Sequence, residues 1–448
     1  MTVRAIPVRG EILAPGQPGY DDARRIWKGL DRRPSCIVRC ADTSDLRNLV
    51  GYAAQERLPL AIAGAGHDIG ARSMPDYALV ASTAALTRVE IDAERRLAKV
   101  APGARWGHVV EAAARHGLAT TGASVATVGV AGFALHGGLG WLMRSLGTAC
   151  DNIRELEMVT ADGELRRIAP DSEPDLFWAM RGAGSNFGAV TSLTLQLHPI
   201  TRVTAGMMLY PGEAAPAVLN AFRDITARAG DELVTHFYYN GSPDGAHSTG
   251  IGLCHTGDPA DLATLLAPLA PLGEPVYDSV REMGIDDLQA VHDSSTPRGA
   301  RYHLRAHYLS ELDDSVSEAI LARCRTVTAP FTQVFVEHMG GAVGRAPIDD
   351  SVFGGRHAGY SFLVINGWSS PEDDTTQIAW TRAFGDAVGP HATHGAYVNY
   401  LDYDEDHRIP GAYGSAYPRL RALKRRYDPA NMFRFNRNIP PEVDDAAS

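Results

Sequence analysis

Apolar positions along the chain switch between two rhythms, every second residue in some stretches and every third or fourth in others, with turn-forming residues between them. Residues 35–39 predict a short strand, 43–56 a capped amphipathic helix, and 60–63 a strand running into a glycine-rich loop. Strands at 79–80, 86–91 and 97–100 follow, then a helix over 106–116 that ends at Gly117. From Ile153 to Pro199 the pattern is strand, an Asp162-Gly163 hairpin turn, strand, a helix led by Pro174, and an alternating strand over 189–197. Together these elements make one α+β unit.

Past residue 202 the strands lengthen. Residues 207–210, 233–239, 334–338 and 361–368 read as strands, and helices over 216–227 and 315–325 lie between them. The pattern predicts a second domain built on one large antiparallel sheet. No internal repeat is visible, and only residues 444–448 read as a disordered tail.

At 448 residues the chain is long enough for two domains, and 45% hydrophobic with 21% charged residues describes a globular protein. Lys plus Arg number 42 against 53 Asp plus Glu, and the net charge of −11 disfavours nucleic acid and anionic membrane surfaces as partners. No apolar run approaches a membrane span, and the N-terminus lacks a basic-then-apolar leader, so a cytoplasmic location is expected. The five cysteines (Cys36, Cys40, Cys150, Cys254, Cys324) contain no CxxC pair, against a disulfide framework or structural zinc. Cys36 and Cys40 flank a strand, which would hold their sulfurs apart. No metal-binding motif and no Gly-x-Ser-x-Gly elbow is present.

The candidate chemistry begins in the loop Gly64-Ala65-Gly66-His67-Asp68-Ile69, which continues through Gly70 to Ser73. Its glycines permit positive φ, so successive N–H groups are free to converge on a phosphate. The loop follows the second strand and opens no helix, unlike the Gly-x-Gly-x-x-Gly of a nicotinamide-binding fold. A second cluster carries Thr127, Val128, Gly129, Gly132, Gly137, Gly138 and Gly140, followed by Asp151 and Asn152. Two such loops sixty residues apart suit a long dinucleotide. With Arg181-Gly-Ala-Gly-Ser-Asn-Phe-Gly188 and the terminal Tyr427-Asp-Pro-Ala-Asn-Met-Phe-Arg-Phe-Asn-Arg-Asn-Ile-Pro440, the ordered set resembles the FAD-linked oxidases of the vanillyl-alcohol oxidase and p-cresol methylhydroxylase superfamily. It is most similar to their berberine-bridge-enzyme-like branch, in a form nearer the bacterial hydroxynicotine-oxidase pattern than the plant one. The match runs from about residue 34 to 199 and again over the last fifty residues.

The resemblance implies a two-domain α+β fold: residues 1–202 as the N-terminal part of a FAD-binding domain of the p-cresol methylhydroxylase type, 203–394 as a substrate domain on the large sheet, and 395–448 returning to the FAD domain. It implies FAD bound covalently through His67 to the 8α-methyl group. A noncovalent loop histidine on a phosphate is the alternative. Many relatives add a cysteine link where Val125 stands, so the attachment here is expected to be single. The cofactor-binding set comprises the residues named in the first two loops other than Gly70, with Asp151, Asn152, Asn399 and Asn436. Phe133 replaces a histidine common in plant-type relatives, which leaves open a role for His136.

Residues 397–400, Tyr-Val-Asn-Tyr, resemble a family strand that carries tyrosines and an asparagine over the flavin. A phenol near pKa 10 needs help to act as a base, and Arg305 is the expected neighbouring cation. Tyr400 is the preferred base, Tyr397 the next, and a buried strand aromatic is the competing account of each. His236, Tyr238, His303, His307 and His338 fall on predicted strands, where alternate positions would face the cofactor. The expected reaction takes a hydride from a C–H beside an alcohol or amine of a small molecule, with O2 reduced to H2O2. A flavin dehydrogenase using another acceptor and a catalytically decayed flavin-binding protein remain as alternatives, and a homodimer is left open.

Overall fold

The structure, a computed structural model, describes residues 6–292, 296–393 and 395–443. The tail expected at 444–448 lies outside the described residues. Four short strands, β1 (Glu11–Leu13), β2 (Cys36–Arg39), β3 (Leu60–Ala63) and β4 (Leu79–Ser82), form the first sheet in the order β1-β2-β4-β3. Strands β2 and β3 run parallel to β4, so the chain needs a crossover between them. The helix Thr43–Gln55 supplies it. Asp42 caps this helix by accepting the Asp45 N–H, and its buried stripe is Leu46, Leu49, Val50 and Ala53.

The second sheet is antiparallel, in the order β5-β6-β9-β7-β8, from β5 (Val89–Asp92), β6 (Leu97–Val100), β7 (Ile153–Thr160), β8 (Leu165–Ile168) and β9 (Gly188–Gln196). The expected hairpin joins β7 to β8. Gly163 takes φ +80°, and Asp162 accepts the Glu164 N–H at 3.1 Å.

The third sheet has eight strands: β10 (Arg202–Pro211), β11 (Leu233–Asn240), β12 (Ser248–His255), β13 (Tyr277–Asp278), β14 (Arg281–Gly284), β15 (Arg301–Leu309), β16 (Gln333–His338) and β17 (Tyr360–Trp368). The order is β13-β10-β12-β11-β16-β17-β15, with β14 also on β10, and every pairing is antiparallel. Phe237, Tyr239, Val334, Val336, Phe362 and Val364 point to one face, in a core with the helices Ala215–Thr226, Asp314–Cys324 and Asp374–Val388. Tyr302, Leu304, Ala306 and Tyr308 point to the other, in a core shared with β6, β7 and β9.

The outer edge of β15 is capped by the C-terminal segment instead of another strand. Asp402 accepts the Leu304 N–H at 3.0 Å, and Arg408 donates to the Ala306 carbonyl at 2.9 Å. Asp402 also takes Lys28 Nζ at 2.7 Å and 3.0 Å and the Tyr403 N–H at 2.7 Å, with both charged side chains fully enclosed. One carboxylate thus joins the N-terminal segment, the large sheet and the C-terminal segment. No helix among the described residues is long and apolar enough to cross a membrane.

The segment at 397–400 departs from expectation. It is a 3-10 turn (Val398–Tyr400) closed by the Tyr400 N–H on the Tyr397 carbonyl at 2.8 Å, where a strand was expected. Positions three apart on a strand face opposite sides, whereas one tight turn brings both tyrosines to the same side. Their rings meet edge-on at 4.7 Å.

Replacing Asp402 by Ala strands the Lys28 ammonium in the interior and is expected to cost about 3–5 kcal/mol in thermal or denaturant unfolding. The double replacement Lys28→Met with Asp402→Leu should recover part of that loss.

Candidate active site and cofactor cleft

A cleft of about 620 Å³ opens between the glycine loops and the large sheet. Gly64 to Ile69 form one wall and Thr127 to Gly132 another, with Asn399, Asn436 and Arg437 from the C-terminal segment. The sheet contributes His236 and Tyr238 from β11, Gln333, Phe335 and Glu337 from β16, and Leu363 and Ile365 from β17. The period of two along each strand selects these positions: their neighbours in sequence pack on the helix side.

His67 is fixed from two sides. Its Nε2 lies 2.9 Å from Thr127 Oγ1, joining the two loops, and no partner is found for Nδ1 among the described residues. Trp27 stacks near its ring at 6.4 Å and 16°, and the Trp27 N–H donates to the Gly66 carbonyl at 2.7 Å. Burial, with the positive charges of Arg298 and Arg105, pulls the His67 pKa down to about 4, so the imidazole is neutral at physiological pH.

The loops have what a dinucleotide needs. The N–H groups of Ala65 to Ile69 donate to no acceptor among the described residues, a group of donors suited to a phosphate. Ser73 Oγ and Asn436 Oδ1 line the cleft, buried and without partners. Gly132 has open space where a Cβ would stand, so a cofactor can lie against bare backbone there. Asp68 anchors the loop by accepting the Ser73 N–H at 2.8 Å and pairing with Arg437 at 2.9 Å.

On the sheet wall the Tyr400 hydroxyl donates to Glu337 Oε1 at 3.2 Å. Burial pushes the Glu337 carboxyl up to about 7, partly offset by the Ser361 and Tyr400 hydroxyls. Burial and then the nearby Glu337 carry the Tyr400 phenol well above 10. Tyr397 is held differently, its oxygen accepting the Gly138 N–H and Asn399 Nδ2, each at 2.8 Å.

Residues 34–169 match the family model of a FAD binding domain, and 396–440 the model described as berberine and berberine like. An uncharacterised FAD-linked oxidoreductase of Bacillus subtilis is 29% identical over 442 residues, covering 96% of this chain and 97% of that one. The (R)-6-hydroxynicotine oxidase of Paenarthrobacter nicotinovorans is 27% identical over 463 residues, covering 98% of each. The crystal structure of 6-hydroxy-D-nicotine oxidase from Arthrobacter nicotinovorans superposes with a TM-score of 0.89 at 26% identity, over 99% of this chain and 100% of that one. The chain is an FAD-linked oxidoreductase, similar at both ends to the berberine-bridge-like enzymes.

Within this oxidoreductase, several expected residues lie away from the cleft. Gly137 and Gly138 take φ +117° and +92°, and side chains there would collide with Phe353 and with Ala149 and Phe133. Gly140 lies against the Gly122 carbonyl, so these three glycines serve close packing and do not line the cleft. Asp151 pairs with the enclosed Arg356 at 2.6 Å, and Asn152 binds the Leu146 and Thr148 carbonyls and His198. Neither lines the cleft. Arg305 is a further correction. It shares a strand face with His303 and His307, turned from the cleft, and its guanidinium pairs with Asp404 at 2.8 Å and 3.0 Å. His307 bonds the Gly385 carbonyl at 3.0 Å, and His338 lies on the helix-side face beside Arg144 at 3.2 Å.

Val125 and Phe133 do line the cleft. His136 does too, but it donates from Nδ1 to the Gly132 carbonyl at 3.0 Å and accepts from Ser185 Oγ at 2.8 Å. With both nitrogens engaged and burial holding its pKa near about 4, it is a neutral structural link. Glu337, Trp27, Arg298 and Arg437 also line the cleft, though no motif singles them out in the sequence. Glu337 had one available signal, an acid directly after the apolar Val334-Phe335-Val336 of a strand.

A carboxyl held at about 7 instead of its ordinary 4.5 keeps its proton longer in the folded state, so stability is lost as pH rises between those values. Glu337→Gln removes that loss. The variant is expected to gain roughly 3 kcal/mol relative to the parent between pH 4.5 and 8, read as a melting midpoint a few degrees higher at pH 8.

Proposed function

We propose that the protein is a flavin-dependent oxidase of a small alcohol or amine. FAD would lie across the loops at 64–69 and 127–132, in a flavin-binding half made of residues 1–202 and 395–448. Residues 203–394 would hold the substrate. The observation that carries this is the Tyr400–Glu337 pair lining the same cleft as the glycine loops and His67. When bound, FAD supplies a two-electron acceptor that takes a hydride from carbon and passes the electrons to dioxygen, giving H2O2.

His67 would carry the flavin through Nδ1, because Nε2 is engaged by Thr127. Its low pKa keeps a lone pair available for that bond. Val125 offers no thiol, so the attachment is single. A valine at that point leaves the cleft wall apolar.

Proton removal falls to Tyr400 and Glu337 acting together. A phenol pushed above 10 is a poor base by itself, and Arg305 is too far engaged elsewhere to assist it. The hydroxyl can instead accept the substrate proton while passing its own to Glu337, so that no phenolate forms. The net base is then the carboxylate, whose pKa lies where general bases work best at neutral pH. Phe335, Leu363 and Ile365 would exclude water around the reacting C–H, and holding that bond in place supplies much of the rate.

Acid-precipitated protein should give a yellow pellet, and His67→Ala a colourless one. Tyr400→Phe should keep the yellow pellet while lowering kcat by about 10²–10⁴. With a turnover substrate in an oxygen electrode, kcat/KM should rise with pH through about 7, as Glu337 loses its proton. Electron transfer to an added dye without oxygen uptake would replace the oxidase with a dehydrogenase.

A further inference from the structure

Glu337 is an enclosed carboxylate that forms no ion pair among the described residues. One oxygen takes the Tyr400 hydroxyl, Oε2 has no hydrogen-bond partner, and the nearby Ser361 hydroxyl only partly favours the charged form. Its charge is felt by the phenols Tyr238, Tyr308, Tyr397 and Tyr400, which carry no positive charge to balance it. Its ladder neighbours are Ser361 on β17 and His236 on β11. His236 stacks on Trp141 at 4.4 Å and places Nδ1 3.0 Å from the Tyr238 hydroxyl. The arginines lining the cleft are engaged elsewhere: Arg437 on Asp68, and Arg298 on the Arg25 carbonyl at 2.9 Å.

Proteins rarely enclose a carboxylate without a cation or a full set of hydrogen bonds, since ionising it there is strongly disfavoured. A ligand can supply what the chain omits. Resting on the oxidoreductase reading above, we propose that the substrate is a small cationic amine, whose ammonium group is the counter-ion of Glu337 and whose charge lies against the rings of Phe335, Tyr238 and Tyr400. Phe335 and Tyr238 already meet edge-on at 4.9 Å, forming an aromatic corner on the same wall. A sugar or simple alcohol would offer the carboxylate a hydroxyl without charge. An anionic substrate would be repelled.

The chemistry balances. An ammonium N–H proton moves through the Tyr400 hydroxyl to Glu337, leaving a neutral amine and a neutral acid. The C–H beside nitrogen then leaves as a hydride to the oxidised cofactor, while the nitrogen lone pair forms the C=N bond. In sum, ammonium and oxidised FAD become an iminium ion, FAD reduced by two electrons, and one proton held on Glu337. Until it receives that proton Glu337 stabilises the cation, and afterwards it no longer restrains the lone pair.

The test titrates the flavin absorbance of the holoenzyme with benzylamine, benzyl alcohol and benzoate near pH 8, above the titration of Glu337. Benzylamine is expected to bind at least about tenfold more tightly than either of the others. Glu337→Gln should erase that margin and leave benzyl alcohol within about twofold of its parent affinity. Equal affinities for amine and alcohol in the parent enzyme, or tighter binding of benzoate, overturn the proposal whether or not the variant folds. Protein purified with bound flavin but no amine preference counts against the amine alone, whereas protein that never takes up flavin counts against the oxidoreductase reading itself.

Discussion

A broad antiparallel sheet has two faces, and in this protein both must be buried. The helices Ala215–Thr226, Asp314–Cys324 and Asp374–Val388 cover one face of the eight-stranded sheet and leave the other. The second sheet covers it instead, with Tyr302, Leu304, Ala306 and Tyr308 completing a core that runs into β6, β7 and β9. Covering is incomplete where the glycine loops approach, and the gap is the cleft. The fold thus gains a cavity walled by rigid sheet on one side and adaptable backbone on the other, a division that suits substrate against cofactor.

The C-terminal segment holds that arrangement with enclosed charge. Asp402 binds Lys28 and the edge of β15, Arg437 binds Asp68 in the first glycine loop, and Lys424 donates to Asp428 and to the Asn186 and Phe433 carbonyls. The contacts of Asp402, of Arg437 and of Lys424 with the Asn186 carbonyl join stretches far apart in sequence, and the Lys424–Asp428 pair holds the chain end that makes the last of them. Enclosed ion pairs contribute little net stability, but breaking one is expensive. They therefore penalise any arrangement in which the last fifty residues dock elsewhere, which hydrophobic contact alone would do less sharply.

How much was legible follows from which forces act locally. The glycine loops, His67 and the crossover helix are written into short stretches, because backbone freedom and capping are decided by neighbouring residues. The strands at 233–240, 333–338 and 360–368 were also visible, to within a residue or two. Which face of each strand would meet the cofactor was not. A sheet buried on both sides shows no clean alternation of apolar and polar positions, so parity cannot be read from the sequence. Arg305 fell on the wrong side for this reason: its face carries Arg301, His303 and His307, and their partners are Asp374, Asp404 and the Gly385 carbonyl. Glu337 and Tyr400 are 63 positions apart, and only the folded chain puts their oxygens within 3.2 Å. The same limit applies to Asp151 and Asn152, whose partners Arg356 and His198 are remote in sequence.

The turn at 398–400 changes the acid–base problem more than any other departure. On a strand, one of the two tyrosines would face the helices and the other would need a cation to ionise. In the turn both phenols face inward, and each finds a different partner. Tyr397 has its oxygen filled by two N–H donors and serves the packing of Gly138 and Asn399. Tyr400 donates its proton to a carboxylate and lines the cleft. Such a phenol works as a conduit, because its own high pKa keeps it neutral while the group behind it sets the proton's destination. A fixed cation of the chain beside Tyr400 would defeat this by holding Glu337 in a permanent ion pair and lowering its pKa, whereas a substrate ammonium gives up its charge with the proton it transfers. Arg305 on the far side of β15 is therefore consistent with the mechanism proposed here, in which the basicity belongs to Glu337.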